Sequence, residues 1–393
     1  MKPRPLQDVT VVAIEQAVAG PFATRQLADL GARVIKIERP GSGDFARAYD
    51  VSVKGMASHF VWLNRSKESL TLDLKRPEAT KVLERLLENA DVFLQNLAPG
   101  ATDRLGLAAD ALRTRYPRLI VCNLSGYGRS GPYAEKKAYD LIIQSEVGML
   151  AVTGTEDTPS KVGVSIADIS AGMYAYSGIL TALLARKDTG EGTIVDIALI
   201  DTLGEWMSYA AYYTQYGGTQ PPRTGASHAT IAPYGSYRTS DGAVIIAVHN
   251  KVEWTEFCSL VLQQPALAED ARFQTNVLRV QHREALTDAI EAVLAQLPSS
   301  EVLRRLEAAN IANARVNSID EYLQHPQLAA RDCWRDIDSP SGPIRALVPP
   351  ARLQDIEPAM GAVPALGQHS RMILKQLDFD DDTISRWARD GVI

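Results

Sequence analysis

The chain has 393 residues, long for one compact domain and ordinary for two. Hydrophobic residues make up 46% and charged residues 22%, the balance of a globular protein with a real core. Lys plus Arg is 41 and Asp plus Glu is 47; the net charge of −6 argues against bulk nucleic-acid binding but leaves room for a local basic pocket. The three cysteines, Cys122, Cys258 and Cys333, are far apart and lack CxxC spacing. Neither a disulfide framework nor a structural zinc site is expected, and the reducing cytoplasm is the expected setting. The first residues, MKPRPLQDVTVVAIEQ, hold no apolar core of signal-peptide length.

In chain order, Val9 to Ile14 is a β-branched apolar run that predicts a buried strand. Pro21 to Leu30 has helical spacing and is stopped by Gly31, and Arg33 to Glu38 is a second strand. This βαβ unit implies a parallel sheet. Strands are expected at 70–74, 91–94, 119–124 and 193–199, with helices over 77–89, from Ile169 onward and over 203–213. The apolar stretch Ile169 to Ala185 contains Ser170, Gly172, Ser177 and Gly178, and reads as a buried helix packed through small residues rather than a membrane span. The alternation predicts a doubly wound, Rossmann-like α/β domain. Near Gly217 the composition turns to Gly, Pro, Ser and Thr. A strand–turn–strand pattern about Ser240-Asp241-Gly242 follows, then helices over 252–262, 280–295 and 299–309, a smaller α+β domain. The expected division is a large domain over 1–216, a linker and small domain over 217–330, and a return to the large domain over 331–393.

Asp168 lies just before the long apolar helix. It reads either as that helix's N-cap or as a carboxylate nucleophile held at a helix start. The loop Glu15 to Pro21 follows the first strand, where α/β domains bind ligands, but it has no GxGxxG fingerprint. Gln16 is a loop hydrogen bonder or a ligand contact. Arg39, Lys75, Asn96, Arg104 and Lys137 fall at element ends; each alone reads as surface, and together they would rim a pyrophosphate. Arg223, Ser227 and His228 lie in the Gly/Pro-rich loop. HExxH and GxSxG are both absent, so neither a zinc protease nor an α/β-hydrolase is expected.

Several segments together resemble the family III CoA-transferases, which include formyl-CoA transferase and carnitine CoA-transferase. They are LADLGARVIKIERPGSGD from Leu27 to Asp44, Asn64-Arg65-Ser66-Lys67, and Leu70-Thr71-Leu72-Asp73-Leu74-Lys75. Gln95-Asn96 with Pro99-Gly100 and Leu105-Gly106 also fit, as do Ser125-Gly126-Tyr127-Gly128, Ala232-Pro233-Tyr234 and the tail PALGQHSRMILKQL. The resemblance covers essentially the whole chain. It implies an interlocked homodimer of two-domain subunits, with no permanently bound cofactor, no metal, and coenzyme A thioesters as substrates; neither nucleic acid nor membrane is an expected partner. It puts the family's catalytic aspartate at Asp168 and its CoA contacts at Gln16, Ala17, Arg39, Leu72, Lys75, Asn96, Arg104 and Lys137.

Formyl-CoA transferases carry a glycine-rich loop where this chain reads Thr224-Gly225-Ala226-Ser227-His228. The stretch resembles instead the branch acting on itaconate, mesaconate, malate and citramalate with succinyl-CoA as donor. The implied route runs through an aspartyl anhydride and an aspartyl-CoA thioester. Backbone amides near Gln16 and Ala17 are expected to stabilise the oxyanion, and Arg47 or His228 to meet the acceptor's distal carboxylate. Two alternatives stay open: an intramolecular mesaconyl-CoA transferase, and a 2-methylacyl-CoA racemase. The racemase needs a His where this chain has Tyr139, in Ala138-Tyr139-Asp140.

Overall fold

The computed structural model describes residues 2–393. They form two compact units. The first comprises the residues up to Val147, Val162–Ser208 and Leu328–Ile393; the second comprises Gly148–Lys161 and Tyr209–Gln327. The expected division is corrected in two places. Residues 148–161 group with the second unit, and the crossover falls at Ser208 rather than 216. A segment in the middle of an α/β pattern gives no sign in sequence that it packs elsewhere.

The first unit is built on a parallel sheet of β1 (Thr10–Ile14), β2 (Arg33–Glu38), β3 (Lys67–Thr71), β4 (Val92–Gln95), β5 (Ile120–Ser125) and β6 (Ile194–Ala198). Its order is β3-β2-β1-β4-β5-β6, so the chain reverses direction between β1 and β4. Such a switch point leaves a crevice beyond the carboxyl ends of the strands. Residues of β1, β4 and β5 are mostly apolar and buried almost throughout, as the centre of a parallel sheet requires. Five helices matter to the site: α1 (Ala19–Asp29), α2 (Pro77–Glu88), α3 (Ala109–Arg115), α4 (Asp140–Glu146) and α5 (Ile166–Thr189). Pro77 opens α2 where no amide partner is needed, and Ala79, Val82, Leu83, Leu86 and Leu87 form its buried stripe. That stripe packs on Val12, Ile35, Leu70 and Phe93 of the sheet, together with Ile373, Leu374 and Trp387 from the C-terminal helices. Each of the fully buried large side chains contributes about 1.5–3 kcal/mol over leaving it in water.

The long helix α5 packs against α1 through small residues. A Cβ on Gly172 would lie 2.7 Å from the Ala19 carbonyl oxygen, so only glycine permits this approach. Among the described residues, no helix is long and apolar enough to cross a membrane.

Two expected elements differ. The strand expected at 70–74 runs from Lys67 to Thr71, because Lys67 is buried and paired with Glu15 rather than exposed. The helix expected over 203–213 is two helices, Leu199–Trp206 and Ser208–Gly217.

The second unit holds an antiparallel sheet of β7 (Tyr234–Thr239), β8 (Gly242–Ala247) and β9 (Ala312–Arg315), in that order. The Asp241 carboxylate accepts from the Ser299 amide and hydroxyl, both at 2.7 Å, and so ties the hairpin turn to the helix Ser299–Ala308. Val244, Ile246, Trp254, Phe273, Ile290 and Leu306 form this unit's core. The strand β9 was not expected, since Ala-Asn-Ala-Arg carries no β-branched signal.

Candidate active site

The loop after β1 is fixed by side chains from two other segments, Asn96 after β4 and Asp44 after β2. Asn96 grips the Gln16 backbone at both ends: its Oδ1 accepts from the Gln16 amide at 2.8 Å, and its Nδ2 donates to the Gln16 carbonyl at 2.8 Å. Ala17 has φ +60°, a left-handed conformation that costs a non-glycine residue about 1–2 kcal/mol. Its amide donates to Asp44 Oδ1 at 3.0 Å. The expected oxyanion donors are therefore corrected, because both the Gln16 and the Ala17 amides are already engaged. The Gln16 side chain is oriented instead. The Phe45 amide donates to its Oε1 at 3.2 Å, and among the described residues its Nε2 has no protein partner.

Asp168 stands in the first turn of α5, but it is not the cap. Ser165 occupies the N-cap position without a side-chain bond. The open amides are met by Asp140, at the start of α4: its Oδ1 accepts from Ala167 at 2.8 Å and from Asp168 at 3.4 Å. Gln144 donates to Asp140 Oδ2 at 2.7 Å and accepts from the Val162 amide at 2.9 Å. The cap-only reading of Asp168 is thus replaced by a relay in which Asp140 satisfies the helix start. Among the described residues, the Asp168 carboxylate has neither a hydrogen bond nor an ion pair, although it is partly exposed. Burial, and then the neighbouring Asp140 charge, push its carboxyl up to about 7. These effects outweigh the favourable field of a helix N-terminus.

Tyr49 and Asp140 are site residues that sequence reasoning missed or gave another part. Burial pushes the Tyr49 hydroxyl up to about 12, followed by the charges of Asp44, Asp168 and Tyr139. Its ring meets Phe45 at 5.8 Å and His59 at 5.6 Å. Aromatic residues in a loop carry no pattern that would mark them.

One pocket lies beyond the carboxyl ends of β1, β2 and β3. It is lined by Ile14, Gln16, Ile37, Glu38, Arg39, Leu72, Asp73, Leu74, Lys75 and Leu97. The structure thus gathers Gln16, Arg39, Leu72 and Lys75 around one cavity, with apolar walls and two exposed cations at its rim. Ala17 and Asn96 support this loop from beside the pocket. Arg104, on the one-turn helix Ala101–Arg104, and Lys137, in the loop before α4, do not line it and are exposed.

Arg47 is drawn into structure. Its guanidinium donates to both Glu38 oxygens at 2.8 Å and lies 3.6 Å from the Phe60 ring centroid. His228 belongs to the second unit, where it is exposed and stacks on Tyr234 at 5.2 Å. Among the described residues, no group of three or more His, Cys, Asp or Glu is placed to hold a metal ion.

The model of the family described as CoA-transferase family III matches residues 6–370. The chain belongs to this family. This CoA-transferase is therefore an enzyme that transfers coenzyme A. It is 32% identical to the succinyl-CoA:glutarate CoA-transferase of Mus musculus, over 99% of this chain and 90% of that protein. It is 33% identical to the succinyl-CoA–D-citramalate CoA-transferase of Chloroflexus aurantiacus, over 95% and 94%. A crystal structure of a CAIB/BAIF family protein from Brucella suis matches the CoA-transferase with a TM-score of 0.85 and 35% identity, over 96% of this chain and 100% of that one.

Proposed function

We propose that this enzyme moves CoA from succinyl-CoA to a short dicarboxylic acid, with Asp168 as the nucleophile. The observation that carries the reading is the unpartnered Asp168 carboxylate at the start of α5, raised in basicity by burial and by Asp140. A carboxylate nearer in basicity to neutral pH is a better nucleophile than an ordinary one, provided it is ionised.

Asp168 attacks the thioester carbonyl, the C–S bond breaks, and a mixed aspartyl–succinyl anhydride and CoA thiolate result. The thiolate adds to the aspartyl carbonyl and releases succinate, leaving an aspartyl-CoA thioester. The acceptor carboxylate attacks that thioester, giving a second anhydride and the thiolate. Attack of the thiolate on the acceptor's acyl carbon yields the new CoA ester and restores Asp168. The Gln16 Nε2 is the donor for the developing oxyanion, since its Oε1 is held by Phe45. Arg39 and Lys75 meet CoA phosphates and Leu72 lies along the apolar wall; Arg104 and Lys137 extend the positive surface. Arg47 is committed to Glu38, which removes it as the donor for the acceptor's distal carboxylate. Four exposed tyrosines over 209–216 support assembly into a homodimer, for which the interlocked form is the family expectation.

The test is CoA transfer from succinyl-CoA to a panel of glutarate, itaconate, mesaconate, citramalate, malate and monocarboxylic acids. Transfer confined to dicarboxylates supports the reading, itaconate being the acceptor expected from the loop at His228. Transfer only to monocarboxylates would refute it.

A pH dependence follows. Only ionised Asp168 attacks, so kcat/KM should rise with pH through about 7 and level off above it. Each pH unit well below the midpoint costs about tenfold. Asp140→Asn keeps an oxygen for the Ala167 amide but removes the charge facing Asp168. Its profile should rise at lower pH than the wild type, and an unshifted profile would show that Asp140 has no electrostatic part.

A further inference from the structure

Beneath the Gln16 loop lies a set of buried charges that the reaction scheme does not use. Lys36 donates to Asp44 Oδ2 at 2.8 Å and to the Glu15 carbonyl at 3.2 Å. Lys67 pairs with Glu15 at 2.7 Å, and Thr24 donates to the same carboxylate at 2.7 Å. Glu38 receives Arg47, the Ser69 hydroxyl at 2.6 Å and the Asp44 amide at 3.0 Å. The side chains of Glu15, Lys36, Lys67 and Glu38 are all fully buried. Three carboxylates thus balance three cations; Glu38 also lines the pocket, and Asp44 Oδ1 reaches a backbone amide of the Gln16 loop. That oxygen accepts from Ala17 at 3.0 Å and from Ala46 at 2.9 Å. It therefore bridges the two loops that meet at Gln16, since the neighbouring Phe45 amide holds the Gln16 carboxamide.

We propose that Asp44 is a positioning residue for CoA transfer, holding Ala17 left-handed and Phe45 in place so that the Gln16 side-chain amide faces the reacting thioester. Lys36 fixes the other Asp44 oxygen and so fixes the direction of the first. A surface carboxylate would rotate; this one is clamped at both oxygens and shielded from water. The inference rests on the role given to Gln16 under the proposed function.

The test compares wild type, Asp44→Asn, Asp44→Ala, and Asp44→Ala combined with Ala17→Gly, reading kcat for CoA transfer, Kd for free CoA, and thermal unfolding. Asp44→Ala should lower kcat on the order of 10²-fold, the cost of a misplaced catalytic group, with little change in CoA affinity. Asparagine keeps the acceptor for Ala17 but turns its amide nitrogen toward the buried Lys36 ammonium, so it should lose part of the turnover and less than alanine does. Glycine at position 17 adopts positive φ without penalty, so the double variant should regain part of the lost kcat. Both readings predict lower stability, because Asp44→Ala takes a partner from the buried Lys36; a purely structural Asp44 would also lose CoA affinity, and Ala17→Gly would rescue no kcat, and that pattern overturns the proposal. If alanine at position 44 prevents folding, Asp44→Asn decides: turnover as low as that of Gln16→Ala overturns it. An inactive wild type would refute the reaction assignment, whereas an active wild type matched by Asp44→Ala would refute only the positioning role.

Discussion

Replacing Asp168 with alanine or asparagine is expected to lower CoA transfer by on the order of 10³-fold or more, because the proposed scheme gives both covalent intermediates to this carboxylate. The same change should stabilise the protein, in a way that depends on pH. The Asp168 carboxyl binds its proton more tightly in the folded protein than in the unfolded chain. Its contribution to stability is present at low pH and is lost as pH rises through about 7. At pH 8 the wild type carries a desolvated charge facing Asp140, and Asp168→Asn does not. The variant should therefore have the higher Tm at pH 8 and a smaller advantage at pH 5. Measured turnover alone would not separate a lost nucleophile from a damaged fold; lost turnover with a raised Tm does. An Asp168→Asn protein that transfers CoA at near wild-type rate would end the assignment.

The largest effect on stability is expected at Asp29, in the last turn of α1. Its carboxylate is bound by Arg25 at 2.7 Å and by two nitrogens of Arg65 at 2.8 Å, and all three side chains are at most 8% exposed. Arg65 also reaches the Leu347 carbonyl, and the Ala359 amide donates to the Asp29 carbonyl, so this cluster anchors the C-terminal return of the first unit. Arg25 Nε already lacks a partner. Asp29→Ala leaves two guanidinium groups buried and unbalanced, a cost of about 3–5 kcal/mol. In a unit of this size that corresponds to a Tm lower by roughly 10 °C. The loss should persist in high salt, since buried charges are poorly screened. A change below about 1 kcal/mol would mean that water reaches the arginines and hydrates them.

The parallel sheet was legible because its strands are apolar on both faces, and the helix α2 because its buried stripe repeats at helical spacing. The charged strand residues were not. Lys36 sits between Ile35 and Ile37 and Lys67 between Ser66 and Glu68, yet the residues that neutralise them lie 8 to 52 positions away in sequence. No local pattern announces a pairing over that distance. Asp168 could be located at a helix start, but whether it capped that helix depended on Asp140, 28 residues earlier. The left-handed backbone at Ala17 was hidden for a simpler reason: alanine is not a residue that signals positive φ. In that conformation Asp44 takes the Ala17 amide, and Asn96 takes the Gln16 amide, which is why the proposed oxyanion donor is a side chain.

The outer edge of the sheet has a bearing on how the chain is made. β3 is an edge strand, and its free side is covered by residues near the end of the chain. The Ser69 amide donates to His369 Nδ1, the Thr71 amide to Ser370 Oγ, and the His369 amide to the Ser69 carbonyl. Some 300 residues separate the strand from its cover. At ordinary rates of translation the ribosome needs about 15–60 s to make that stretch. During this interval the nascent sheet presents an unpaired backbone row of the kind that recruits strands from neighbouring chains. Synthesis of this protein therefore contains a window in which this edge stays open, and a chain stalled before residue 369 would emerge with β3 uncovered.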